Sequence, residues 1–144
     1  MFKQVLVPVD GSATAGKAID KAVAIALAFQ SVVTVIHVID PFPPAGSTGA
    51  VAGPVYCPVA AADMANAAIS NARKAFEACG VAVKSSVVEG FPVYQAILEA
   101  AETLDADLVV MGSHGRRRLE KLILGSVTAQ VLSHAHLAVL VVRG

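Results

Sequence analysis

The chain has 144 residues, 56% of them hydrophobic, and its 11 lysines and arginines balance 11 aspartates and glutamates. This length predicts a single domain over residues 1–144, with its own hydrophobic core. Zero net charge argues against a global field that attracts nucleic acid or an anionic membrane, so any anion site has to be local.

The location of the protein is predicted from features that the sequence lacks. Two cysteines, Cys57 and Cys79, are too few for a disulfide scaffold, and we expect both to be reduced and structural. The longest apolar run, residues 22–29, is much shorter than the about 20 residues of a membrane-spanning helix. No secretion-type leader precedes the first predicted strand. These features favour a cytoplasmic protein without a membrane partner.

Hydrophobic patterning predicts strands and helices that alternate along the chain. The predicted strands are apolar runs typical of a parallel sheet buried on both faces: residues 4–9, 31–40, 81–89, 106–111 and 137–142. The predicted helices are residues 10–29, a segment from near Ala60 to Cys79, residues 91–104 and residues 126–135. Gly80 is expected to end the second helix in a left-handed conformation. Prolines and glycines between Asp40 and Pro58 predict a long loop.

This order predicts an α/β fold in three layers, with helices on both faces of a parallel sheet. Ligands bind such sheets at the carboxyl ends of the strands, where the strand order reverses. If the fourth strand lies beside the first, Asp10 to Ser12 face the segment from Gly112 to Ser126 across this point. Asp105 and Asp107 enter the fourth strand at its amino end, so we expect solvated or capping roles for them.

The segment after the fourth strand contains Gly112, Gly115 and Gly125 in the spacing G-x2-G-x9-G, with Ser126 next. Glycines allow backbone N–H groups to approach a phosphate, and a helix start adds unpaired N–H groups and partial positive charge. The hydroxyls of Ser126 and Thr128 and the arginines at 116–118 are further candidate phosphate ligands. Alternatively, the glycines only turn the chain and the arginines only solvate it.

No catalytic or metal-binding motif is predicted. The stretch "GSHG" lacks the spacing of a nucleophile elbow, and neither a P-loop nor G-x-G-x-x-G follows the first strand. We interpret His134 and His136 as exposed turn residues and His37 as a hydrogen-bonded core histidine. His114 remains an open candidate because it lies within the glycine-rich segment.

Five segments, "VLVPVDGS", "VIHVID", "DLVVMGSHGR", "LILGSVTAQVL" and "AVLVVRG", resemble the universal stress protein family in the same order. In that family the complete G-x2-G-x9-G-[ST] signature separates members that bind ATP from those that do not. The resemblance implies a Rossmann-like domain, of the adenine nucleotide alpha hydrolase-like type, with a five-stranded sheet of order 3-2-1-4-5. It also implies a homodimer that acts in stress survival, dormancy or signalling.

The resemblance further implies a role for individual residues. Pro8 and Asp10 would lie beside the adenosine, with Asp10 accepting from the ribose hydroxyls, and Val38 would contact the adenine. Ser12 can cap the first helix in place of Asp10. The phosphates, together with Mg²⁺ that they carry, would be held by Gly112, Gly115, Arg116, Gly125, Ser126 and the backbone N–H of Val127. The family's usual proline before the last strand is absent here, where His136 to Ala138 stand.

Two classes of function remain open. The favoured one is a stress-response regulator that binds ATP with little or no hydrolysis and acts on a signalling partner that the sequence does not specify. The alternatives are a slow Mg²⁺-dependent ATPase, in which His114 or Asp10 positions water, and a protein that binds AMP or a cyclic nucleotide. The last predicted strand lies at a sheet edge, so we expect a second subunit to cover it, and charges at Val139 or Val141 to release monomers.

Overall fold

The computed structural model describes residues 1–42, 57–114 and 124–144. Within these ranges five strands alternate with four helices. The strands are β1 (Gln4–Pro8), β2 (Val32–Ile39), β3 (Val83–Glu89), β4 (Leu108–Gly112) and β5 (Ala138–Val142). The helices are α1 (Ala13–Phe29), α2 (Pro58–Ala78), α3 (Val93–Thr103) and α4 (Ser126–His134). Most of the predicted loop between Asp40 and Pro58 lies outside the described residues.

All five strands form one parallel sheet of order β3-β2-β1-β4-β5, which confirms the predicted α/β fold and strand order. β1 pairs with β2 along its whole length, from Gln4 to Pro8. Its pairing with β4 ends at Leu6 and Val109, although both strands run on beyond these residues. The two strands therefore separate at their carboxyl ends, where the strand order reverses and a crevice is expected.

The sheet is covered on both faces. Val5 and Val7 of β1 pack in one buried cluster with residues of α1 and α2, such as Ala22 and Phe76. Leu6, which points to the opposite face, packs in a second cluster with residues of α3 and α4, such as Ile97. This alternation explains why the strands are continuous apolar runs in the sequence.

Several element ends differ from the prediction. α1 begins at Ala13 rather than Asp10, because Ser12 is the N-cap and its Oγ accepts a hydrogen bond from the Ala15 N–H at 3.2 Å. Asp10 and Gly11 are therefore outside the helix, and Gly11 has a φ of 82°. The predicted end of the second helix is confirmed, since Gly80 has a φ of 72°.

Asp105 and Asp107, for which capping or solvated roles are predicted, lie just before β4 at the amino edge of the sheet. Asp107 accepts hydrogen bonds from the backbone N–H groups of Lys3 and Gln4 at 2.9 and 3.2 Å. Its own N–H donates to the Gln4 carbonyl at 2.9 Å, so Asp107 fastens the start of β1 to β4. This confirms a capping role for Asp107.

The remaining expectations from composition concern the cysteines and the membrane. Cys57 and Cys79 are free and both are exposed, so neither sulfur packs in the core. Across the described ranges, no helix has both the length and the apolar character that crossing a bilayer requires.

Candidate functional site

The candidate site lies at the carboxyl edge of the central strands. Pro8 ends β1 and Asp10 follows it, Gly112 ends β4, and Gly125 immediately precedes α4. Because β1 lies between β2 and β4, this edge also brings the end of β2, where Val38 is half-buried, next to Asp10. The predicted phosphate ligands Gly115 and Arg116 lie outside the described residues.

The segment after β1 is braced by its own side chains. The Oδ1 atom of Asp10 accepts a hydrogen bond from the Ser12 N–H at 2.8 Å, which fixes the turn into α1. On the neighbouring strand, Nδ1 of His37 lies 2.9 Å from the Val9 carbonyl oxygen. His37 is thus hydrogen-bonded, as predicted, but it is half-buried rather than enclosed in the core.

The segment that leaves β4 is held by three neighbouring elements. The carbonyl oxygen of Gly112 accepts from Thr128 Oγ1 of α4 at 2.8 Å, and the Ser113 carbonyl accepts from the Gly125 N–H at 2.7 Å. The His114 carbonyl accepts from Thr14 Oγ1 of α1. Ser113 also donates its N–H to Val142 of β5 at 2.9 Å. Three successive carbonyl groups are therefore engaged within the protein.

Thr128 differs from the expectation that its hydroxyl serves as a phosphate ligand. The side chain is only 3% exposed, and its hydroxyl donates to the Gly112 carbonyl instead of facing the edge of the sheet. The hydrogen bond from Thr14 to the His114 carbonyl is not predicted from the sequence. Thr14 is the second residue of α1, and only the folded chain brings it to His114.

Two glycines of the signature are required by packing within the protein. A Cβ added at Gly112 would lie 2.7 Å from Thr14 Oγ1, and one added at Gly125 would lie 3.0 Å from the His114 Cα atom. Both distances are shorter than the ordinary van der Waals contact between non-bonded heavy atoms, which is about 3.5–4.0 Å. The absence of side chains lets α1 and the start of α4 approach the β4 exit closely.

The first turn of α4 supplies hydrogen-bond donors at the same edge. Gly125 is the N-cap in an extended conformation and has no side chain with which to cap the N–H groups that follow. Ser126 is exposed and Val127 is half-buried. The N–H groups and the partial positive charge of a helix start are suited to an anion.

His114 and Ser113 form a buried pair beneath this edge. They are 7% and 2% exposed, and Nδ1 of His114 lies 3.2 Å from Ser113 Oγ. A Cβ added at Gly144 would lie 3.6 Å from His114 Cε1 and 4.0 Å from Nε2. The imidazole is thus buried, with Ser113 and Gly144 among its neighbours.

The other two histidines lie away from this site. His134 belongs to α4 rather than to a turn; its ring stacks on Tyr94 at 4.8 Å, and its Nδ1 lies 2.8 Å from the Gln130 carbonyl oxygen. His136 is exposed in the turn before β5, as predicted. Among the residues that the structure describes, no three His, Cys, Asp or Glu side chains are grouped so that they could hold a metal ion.

Comparison with known proteins gives consistent results in sequence and structure. The chain is 34% identical to universal stress protein MJ0531 of Methanocaldococcus jannaschii over 99% of its own length and 83% of that protein. The solved structure of MJ0577 aligns over 100% of this chain and 97% of the other, with a TM-score of 0.78 and 30% identity. The structure of a universal stress protein in complex with cAMP aligns over 99% of this chain and 97% of the other, with a TM-score of 0.71 and 27% identity.

A sequence profile described as the universal stress protein family matches residues 1–143, which is nearly the whole chain. The profile and the relative cover nearly the whole chain, and the solved structure of MJ0577 shares its fold. The chain therefore belongs to the universal stress protein family.

Proposed function

We propose that this protein is a stress-response regulator that binds ATP at the carboxyl edge of β1 and β4, with little or no hydrolysis. The observation that carries the proposal is the position of the start of α4, whose N-cap is a glycine, beside the point where β1 and β4 separate. Such a helix start binds phosphates, and this point of a parallel sheet is where nucleotides bind. The family relationship and the cAMP complex of a relative support a nucleotide as the ligand.

In this proposal the two halves of the nucleotide meet different strands. Pro8 and Val38 contact the base side, and the Asp10 carboxylate, whose Oδ1 also accepts from the Ser12 N–H, accepts from the ribose hydroxyls. The phosphates lie along Gly112, Gly115, Arg116, Gly125, Ser126 and Val127. Mg²⁺ accompanies ATP on its phosphate oxygens, as this hard cation usually does.

Low turnover is supported by the surroundings of His114. A general base has to lie within hydrogen-bond reach of the water that it activates. The His114 ring is buried, with Ser113 and Gly144 among its neighbours, and Asp10 is engaged by Ser12 and, in this proposal, by ribose. We infer that ATP occupancy, rather than ATP cleavage, is what the protein passes to its partners.

We further propose that the protein is a cytoplasmic homodimer joined through β5. β5 is an edge strand, and its unpaired backbone groups are suited to pairing with a second copy. Val139 and Val141 are half-buried along this strand within one chain, and Leu140 is 38% exposed. A second subunit would cover this apolar edge.

Calorimetric titration of nucleotide-stripped protein with ATP and Mg²⁺ tests the proposed function. Micromolar binding is expected, and Asp10→Asn should weaken it because the charge that favours ribose is lost while an oxygen remains for Ser12. Gly115→Val should abolish binding, since its side chain occupies space assigned to phosphate. Gly16→Ala on α1 is the control, because none of the described residues has an atom within 4 Å of a Cβ at this position, apart from chain neighbours and the helix's own backbone. Absence of ATP binding by the unmodified protein would refute the proposal.

Competition separates ATP from the other candidate nucleotides. AMP and cyclic AMP should displace a fluorescent ATP analogue only at higher concentrations, because they make fewer contacts with the glycine-rich segment. If AMP or cyclic AMP binds more tightly than ATP, that nucleotide becomes the proposed ligand in place of ATP. If the parent protein releases phosphate from ATP and His114→Ala does not, the slow ATPase is established instead.

A further inference from the structure

The described residues hold a second layer of polar contacts beneath the edge assigned to the nucleotide. Four buried polar side chains make up this layer, which we call the clamp: Thr14, Ser113, His114 and Thr128. Within the part of the chain that the structure describes, every buried side-chain nitrogen and oxygen has a hydrogen-bond partner. The clamp is therefore satisfied internally: its two threonine hydroxyls donate to the backbone, and Ser113 and His114 contact each other.

Thr14 connects the two halves of the proposed site. Its Oγ1 lies 3.3 Å from Ser12 Oγ and donates to the His114 carbonyl, so the hydroxyl of Ser12 is the donor in the first of these contacts. The Ser12 N–H in turn donates to Asp10. A continuous set of hydrogen bonds thus runs from the residue assigned to ribose to the segment that leaves β4 toward the phosphates.

We propose that Thr14 is a positioning residue of the nucleotide site, which fixes the β4 exit relative to Asp10 through its hydrogen bond to the His114 carbonyl. This inference rests on the proposed function. Thr14 itself is 3% exposed, so it acts on the nucleotide through the backbone of the residues that it contacts. The close contact between Thr14 and Gly112 adds a steric component, because α1 cannot move toward β4.

The direction of the effect follows from the chemistry of the carbonyl. A buried carbonyl without a donor is unfavourable, so loss of the Thr14 hydroxyl leaves His114 with an acceptor that has to find another partner. The segment then turns away from its present path, and the phosphates lose part of their alignment while the base and ribose keep theirs. ATP binding should therefore weaken more than adenosine binding.

The experiment compares the calorimetric affinities of ATP and adenosine for the full chain and three variants. Thr14→Val keeps the shape and removes the hydroxyl, and it should weaken ATP binding about tenfold and adenosine binding less than about twofold. Thr14→Ser keeps the hydroxyl and should bind both ligands within about twofold of the parent. Thr34→Val, at a buried threonine within β2, is the matched control and should change neither.

The ratio of the two affinities separates positioning from general stability. A merely structural role would lower the melting temperature and weaken both ligands equally, and that result would overturn the proposal, as would unchanged ATP binding by Thr14→Val. If Thr14→Val does not fold, Thr14→Ser decides, since selective loss of ATP binding in a variant that keeps the hydroxyl also overturns it. ATP binding that is absent from the parent protein refutes the proposed function together with this inference.

Discussion

Gly112 lies directly against Thr14: a Cβ added at Gly112 would come within 2.7 Å of Thr14 Oγ1, 2.9 Å of its Cβ and 3.0 Å of its backbone carbonyl carbon. The backbone atom cannot rotate away as a flexible side chain could. Gly112→Ala should therefore push α1 from β4 and destabilise the protein by about 1–3 kcal/mol. Chemical denaturation followed by circular dichroism measures the change in the free energy of unfolding.

Gly16→Ala provides the opposite expectation on the same helix. Gly16 is exposed in α1, and within the described ranges a Cβ added there would meet no other part of the chain within 4 Å. Alanine lowers the entropy of the unfolded chain and favours helix, so this variant should gain about 0.5–1 kcal/mol. If Gly112→Ala is as stable as the parent while Gly16→Ala behaves as expected, the close packing at Gly112 is not what requires glycine there.

Asp107 fastens the amino ends of β1 and β4, and its removal tests the stability of the edge opposite the site. Asp107→Ala leaves the N–H groups of Lys3 and Gln4 without their acceptor, and it should cost about 1–2 kcal/mol of unfolding free energy. Asp20→Ala, at an exposed position of α1, should stay within about 0.5 kcal/mol of the parent. ATP affinity should be unchanged in both variants, and a loss in Asp107→Ala would mean that this edge communicates with the site.

The cysteines give a prediction about chemistry that is independent of nucleotide binding. Cys57 and Cys79 flank α2, whose 21 residues separate its ends by about 30 Å, whereas a disulfide needs Cα atoms within about 7 Å. Both thiols are exposed, so both should react with a disulfide reagent in the folded protein, without denaturant. A count below two reactive thiols would show that one of them is covered in solution. Loss of both thiols without addition of the reagent's mass would indicate an unexpected internal bridge.

The fold is largely readable from the sequence because its determinants are local or periodic. Apolar runs such as the one around Val5 and Val7 predict buried strands, and Gly80 predicts a left-handed helix end. The helix starts are less well predicted. Asp10 and Ser12 are both good capping residues, and the competition between them is settled by which side chain reaches the Ala15 N–H.

The candidate site is predictable only in part, since its residues are recognised by spacing but their partners are set by tertiary packing. The sequence places Gly112, Gly125 and Ser126 at one edge, and the structure agrees. It does not indicate that the Thr128 hydroxyl turns to the Gly112 carbonyl, or that Thr14 reaches across to His114. These contacts join residues about 16 and 100 positions apart, beyond the range of any periodic pattern.

The proposed dimer is tested most sharply at Val141. Val139 packs against the cluster of α3 and α4, so a charge there would also destabilise the single chain. Val141 is half-buried on the same edge strand, and Val141→Glu should place uncompensated charges at the interface and release monomers. Light scattering after size exclusion should give twice 14.7 kDa for the parent and 14.7 kDa for the variant.

The opposite edge of the sheet supplies a matched control for the dimer. Val87 of β3 is 43% exposed on the other edge strand, and Val87→Glu should leave the mass at that of two chains, because β5 rather than β3 is assigned to the interface. Monomers from Val87→Glu together with dimers from Val141→Glu would move the interface to β3. A parent protein that is itself monomeric at micromolar concentration would show that the β5 edge is not covered by a second copy.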